Sequence, residues 1–194
     1  MTRKYPVELL TPEEAKALIH ACSSHSQTGI RNAALFTVLY RSGLRISEAL
    51  ALRLKDVDQR AATLTVLHGK GDKRLVVGID PQALTILQRW LDRRQAPRGA
   101  TVFCTLSGHP LDASYVRRAL RRAADKAGIE KRVHPHGLRH THAAELAAEG
   151  VPTNEIQSHL GHTNLQTTDI YLRHIAPTQR IDRIHQRSWD LEPA

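Results

Sequence analysis

The stretch at 134–150, His134-Pro135-His136-Gly137-Leu138-Arg139-His140-Thr141-His142-Ala143-Ala144-Glu145-Leu146-Ala147-Ala148-Glu149-Gly150, decides how this chain is read. Residues 138–149 carry helix formers and Gly150 supplies the stop. His136 and Arg139 stand three apart where that helix begins, so their side chains lie on one side of it. The helix N-terminus nearby adds partial positive charge of its own.

Working outward, 154–160 reads as a further helix closed by Gly161, followed by a short helix around Tyr171 and a tail helix from about Thr178. Upstream, 114–127 reads as a helix closed by Gly128, preceded by a brief strand-like Val102-Phe103-Cys104. Asp80-Pro81 caps a helix in which Leu84, Leu87 and Leu91 repeat at helical spacing. Two β-prone runs, 62–67 and 73–77, flank the glycine-rich turn His68-Gly69-Lys70-Gly71-Asp72 and form a hairpin with Lys70 at its exposed tip. Residues 30–40 are apolar on most sides, as a helix through the middle of a domain must be, and Gly43 ends them. Thr11-Pro12-Glu13-Glu14 has the grammar of a capping box, and Ala15, Leu18, Ile19 and Cys22 give the helix behind it one buried stripe. The expected fold is mainly α with a small antiparallel hairpin or three-stranded sheet, in one domain over 1–194: a leading segment 1–10, a core 11–175 and a tail helix 176–194.

With 194 residues, 41% of them hydrophobic, the chain can build a core without disulfides or a structural metal. Its two cysteines, Cys22 and Cys104, are far apart and read as apolar residues in a reducing compartment, which points to the cytoplasm. No apolar run approaches a membrane span, and residues 1–15 lack the apolar centre of a secretory signal. Lysine and arginine number 28 against 19 acidic residues, a net charge of +9 that biases the surface toward a polyanion.

Five separated signals now fall in order: Ser42-Gly43-Leu44-Arg45-Ile46-Ser47-Glu48-Ala49-Leu50, Gly69-Lys70-Gly71, His136-Gly137-Leu138-Arg139-His140-Thr141, Leu160-Gly161-His162, and Tyr171. In order and spacing the chain resembles the catalytic domain of the tyrosine recombinases of the phage integrase family, similar to the bacterial Xer type, from Leu10 to about Ile175. The resemblance implies a DNA strand transferase that cleaves and rejoins duplex DNA through a 3′-phosphotyrosyl link, without metal, cofactor or ATP. Its partners are double-stranded DNA and other recombinase subunits, and its place is with the nucleoid.

The chemistry accounts for the residue types. Transesterification at phosphorus builds negative charge on the phosphate oxygens, and planar guanidinium forks match two such oxygens at once. The resemblance implies that Arg45 and Arg139 are that clamp. Tyr171 attacks, and since a free phenol has a pKa of about 10, neighbouring cations or a base must help it ionise. His136 suits that task, or holds a phosphate oxygen. The resemblance implies that Lys70 protonates the leaving 5′-oxygen as general acid. It likewise implies that His162 hydrogen-bonds a non-bridging oxygen and that Glu48, one turn beyond Arg45, orients the site from behind.

The chain has 12 histidines, and the cluster His134, His136, His140 and His142 raises a zinc reading. No HExxH and no cysteine pair accompany it, and His140 and His142 read as packing or DNA-facing residues. The stretch from Thr153 to Tyr171 resembles a helix-turn-helix. The signature begins within ten residues of Met1, so the N-terminal core-binding domain common in the family is expected to be absent, and the tail 177–189 is expected to dock on a neighbouring subunit or fold back on its own domain. Two alternatives stand beside the recombinase: a non-catalytic DNA-binding regulator on the same fold, and a DNA-relaxing enzyme like the type IB topoisomerases.

Overall fold

Helix α2 (Gln27–Arg41) is the axis around which the rest is arranged. Leu35, Phe36, Val38 and Leu39 are all but inaccessible to solvent, each stabilising the fold by roughly 1.5–3 kcal/mol through burial. The computed structural model describes residues 8–68, 73–97 and 99–161. Ahead of α2 lies α1 (Pro12–His20), whose capping box is complete: Glu14 N–H donates to Thr11 Oγ1 at 3.2 Å, and Thr11 N–H donates to Glu14 Oε2 at 2.7 Å. After α2 come a short α3 (Ile46–Ala51) and a 3-10 turn, Leu54–Asp56.

The sheet has three antiparallel strands in the order β1 (Val57–Asp58), β2 (Thr63–His68), β3 (Lys73–Gly78). Its main ladder runs from Thr63 opposite Gly78 to His68 opposite Lys73. Leu64, Val66 and Val77 face the core while Val76 is exposed, the alternation of a sheet covered on one side. Helix α4 (Pro81–Leu91) follows directly, capped by Asp80 Oδ1 accepting from the backbone of Gln82 and Ala83. It packs along α2 and buries Trp90, whose indole N–H donates to the Val102 carbonyl at 2.8 Å. The remaining helices are α5 (Ala113–Lys126), α6 (Pro135–Ala148) and α7 (Thr153–Leu160). Among the described residues no helix is long and apolar enough to cross a membrane.

The mainly helical class, the hairpin and its third strand agree with expectation. Val102-Phe103-Cys104 does not form a strand. Thr101 and Cys104 make single bridges to Arg53 and Pro110, and the chain turns back at once through a bond from Gly108 N–H to the Thr105 carbonyl. The β-prone residues at 102–104 reflect burial in the core, since all three are at most 1% exposed. Helix α6 starts three residues earlier than read, because Pro135 takes the first helical position and His134 caps it. The short helix around Tyr171 and the tail helix lie outside the described residues.

Candidate active site

The turn between α2 and α3 sets the first half of the site. Gly43 has φ +63°, and a Cβ there would lie 2.6 Å from the His142 ring and 2.7 Å from a Leu160 methyl, so only glycine lets the turn approach α6 and α7 this closely. Two residues on, Arg45 is the N-cap of α3, and its backbone N–H donates to Glu48 Oε2 at 2.7 Å. Its guanidinium then comes back to the same carboxylate, Nη1 to Oε1 at 2.8 Å, with 40% of the side chain exposed.

The first turn of α6 supplies the second half. His134 Nδ1 accepts from Gly137 N–H at 3.0 Å, so this histidine spends its acceptor on the helix cap. His136, on the first turn, opens to solvent on one side. Its pKa lies below the ordinary histidine value, pushed down by burial on its other side and then by Arg139, His134 and Arg45, so the ring is neutral at pH 7. Arg139 differs sharply from Arg45. It is 2% exposed, donates Nη1 to the Gly43 carbonyl and Nη2 to the Leu160 carbonyl, each at 2.5 Å, and has Nη1 3.9 Å from Glu48 Oε2.

Arg45, Glu48, His136 and Arg139, from two segments about ninety residues apart, thus form one group. Glu48 stands between the two guanidinium groups, and His136 lies within the field of both. An assembly of two arginines, a neutral imidazole and a helix N-terminus can bind a doubly contacted oxyanion and accept or donate one proton. Lys70, His162 and Tyr171 lie outside the described residues, as does the part of the helix-turn-helix stretch beyond Gly161.

Two features escaped sequence reasoning. The outer face of α5 carries Arg117, Arg118, Arg121 and Arg122 opposite the buried stripe Val116, Ala119, Leu120 and Ala123. Beside it runs a cleft of about 450 Å³ lined in part by Arg117, Arg118, Arg121, Lys131, Arg132 and His134. The doubled arginines at helical spacing were the available signal. The second feature is the pairing of His142 with His159: His140 and His142 are buried, in line with the packing reading of both, but nothing in the sequence pointed to the partner on α7. A roomier cavity of about 720 Å³ between α1, α2, α4 and α6 includes none of the expected catalytic residues in its lining.

Residues 8–177 match the profile of the phage integrase family. The chain is 36% identical over 178 residues to the tyrosine recombinase XerC of Halalkalibacterium halodurans, covering 87% of this chain and 58% of that protein. It is 37% identical over 186 residues to a tyrosine recombinase of Thermosipho africanus, covering 94% and 62%. The chain therefore spans about three fifths of the length of these relatives. Among solved structures, the XerA recombinase superposes with a TM-score of 0.84 at 32% identity, over 97% of this chain and 68% of that one. XerH in a post-cleavage complex with palindromic difH substrate gives 0.78 at 28% identity, over 93% and 53%.

Proposed function

Because the chain belongs to the phage integrase family, we propose that it is the catalytic domain of a site-specific recombinase that cuts and rejoins duplex DNA. The observation that carries this reading is the convergence of Arg45, Glu48, His136 and Arg139 on one site. The XerH structure holds its difH substrate, and duplex DNA is the substrate we assign here. Such a domain works in the cytoplasm, on the nucleoid, and in a complex with further recombinase subunits.

Arg45 faces the scissile phosphate from the exposed side, while Arg139 is held from behind by two carbonyls. Neutral His136 takes up a proton or holds an oxygen. The Tyr171 oxygen bonds to phosphorus, the bond from phosphorus to the 5′-oxygen breaks, and Lys70 gives that oxygen its proton. Religation reverses these steps on a new strand, and the bond energy is kept in the phosphotyrosine. His162 adds a hydrogen bond to a non-bridging oxygen, and Glu48 keeps the two arginines in register.

Binding draws on α5, whose four outward arginines give a stripe suited to phosphates. The test is incubation with a nicked suicide substrate. The intact chain is expected to leave a denaturant-stable protein–DNA adduct that Tyr171→Phe does not form. Salt-sensitive binding without an adduct would instead identify a non-catalytic regulator, and relaxation of arbitrary supercoiled plasmid an enzyme of topoisomerase type.

A further inference from the structure

His142 and His159 face each other across the α6–α7 junction, Nε2 to Nε2 at 3.1 Å, with ring centroids 5.2 Å apart and planes inclined by 43°. For a hydrogen bond at that separation one Nε2 donates and the other accepts, so one proton lies between the two rings and the acceptor ring carries its own on Nδ1. His142 is 5% exposed, which leaves little room for water to substitute for the contact.

The position of the pair gives it a role. His142 lies three residues after Arg139 on α6, and its ring is the surface against which Gly43 packs. His159 precedes Leu160. Gly43 and Leu160 are the residues whose carbonyls hold Nη1 and Nη2 of Arg139. The imidazole pair therefore ties together the helix that bears the arginine and both of its anchors. Among the described residues, the apolar cluster that supports α7 is small: Ala143, Ile156 and Leu160, with Leu146, Ala147 and Val151 at its edge.

We propose that His142 and His159 are positioning residues for strand cleavage, a neutral hydrogen-bonded clasp that holds the Gly43 and Leu160 carbonyls at the spacing that orients the Arg139 guanidinium. The inference rests on the reading of Arg139 as a phosphate ligand. The electrostatics agree with a neutral clasp. Burial first, then His159, Arg41 and Arg139, keep His142 unprotonated against a weaker pull from Asp80, and burial and Arg139 do the same to His159 against the Ser42 backbone. A second proton would set two N–H donors face to face beside two guanidinium groups.

The test uses the full chain and two readouts. In nitrogen-15 spectra, separate Arg139 Nη resonances report a guanidinium held against rotation, and single-turnover cleavage of a suicide substrate reports its use. In His142→Phe, which keeps a ring but loses the bond, the Arg139 resonances should merge. Cleavage should fall about 10- to 100-fold, the scale of a small misplacement, with DNA affinity unchanged. His142→Gln, which can still donate and accept, should restore both. His159→Leu breaks the pair from α7 and gives the same test should His142→Phe fail to fold. Arg139 resonances that stay separate in both disrupting variants would overturn the clasp, and so would merged resonances with undiminished cleavage. If the unaltered chain forms no adduct, the recombinase reading fails, while the Arg139 spectra still decide whether the clasp exists.

Discussion

The two arginines of the site should respond to truncation in different ways. Arg45→Ala removes a side chain that is 40% exposed and paired in the described contacts with Glu48, an exchange worth about 0–1 kcal/mol of stability. Arg139→Ala strips the buried carbonyls of Gly43 and Leu160 of their donor and takes a cation from beside Glu48. At roughly 1–3 kcal/mol for each buried group left without a partner, the cost is about 3–5 kcal/mol. For a chain of this size each kcal/mol lowers Tm by roughly 2–4 °C, so a difference of about 2–5 kcal/mol should make Arg139→Ala melt roughly 4–20 °C below Arg45→Ala. Both should slow cleavage by about 10² to 10³, measured well below either melting point, since under the proposed function each removes one donor to the transition state. Circular dichroism melts and single-turnover cleavage decide the matter. Coincident melting curves would refute the reasoning, because they would mean that the two carbonyls do not depend on Arg139.

Gly43→Ala should destabilise the chain by about 2–4 kcal/mol and impair cleavage, from the positive φ together with the approach to His142 and Leu160, as read by urea unfolding. Acid should weaken the fold through its buried histidines. His142 has its pKa depressed to about 3 in the folded state against about 6.5 unfolded, so its contribution is complete above 6.5 and lost as pH falls toward 3, by about 1.4 kcal/mol per pH unit. His134 and His159 shift in the same direction, and equal unfolding free energies at pH 7 and pH 5 would contradict this. Arg118→Ala combined with Arg121→Ala on α5 should weaken DNA binding and reduce the slope of log K against log salt by about 2, measured by fluorescence anisotropy across a salt series. An unchanged slope would remove α5 from the interface.

Elements whose ends are written in local chemistry were legible in the sequence. Thr11-Pro12-Glu13-Glu14 fixed α1, and Gly161 with φ +59° fixed the end of α7, because caps depend on a few adjacent residues. Val102-Phe103-Cys104 misled because β-propensity and burial favour the same side chains, and nothing local announced the turn at Thr105 and Gly108. The grouping of Arg45, Glu48, His136 and Arg139 was legible from motif order. The unequal depth of the two arginines was not. Burial of Arg139 depends on carbonyls at Gly43 and Leu160, far away in sequence, that no spacing rule connects to it. The His142–His159 contact was hidden likewise, since one histidine on a helix carries no sign of its partner.

Among the described residues α7 rests on a small apolar cluster, and this carries an energetic consequence. Helix α2 is sealed within the main core, so its amides should exchange with solvent only when the whole domain unfolds, whereas the described contacts of α7 predict opening at smaller expense. Each excursion takes the Leu160 carbonyl away from Arg139. Under the proposed function, the fraction of molecules ready to cut would follow that local opening equilibrium, and α7 would set it without touching the DNA.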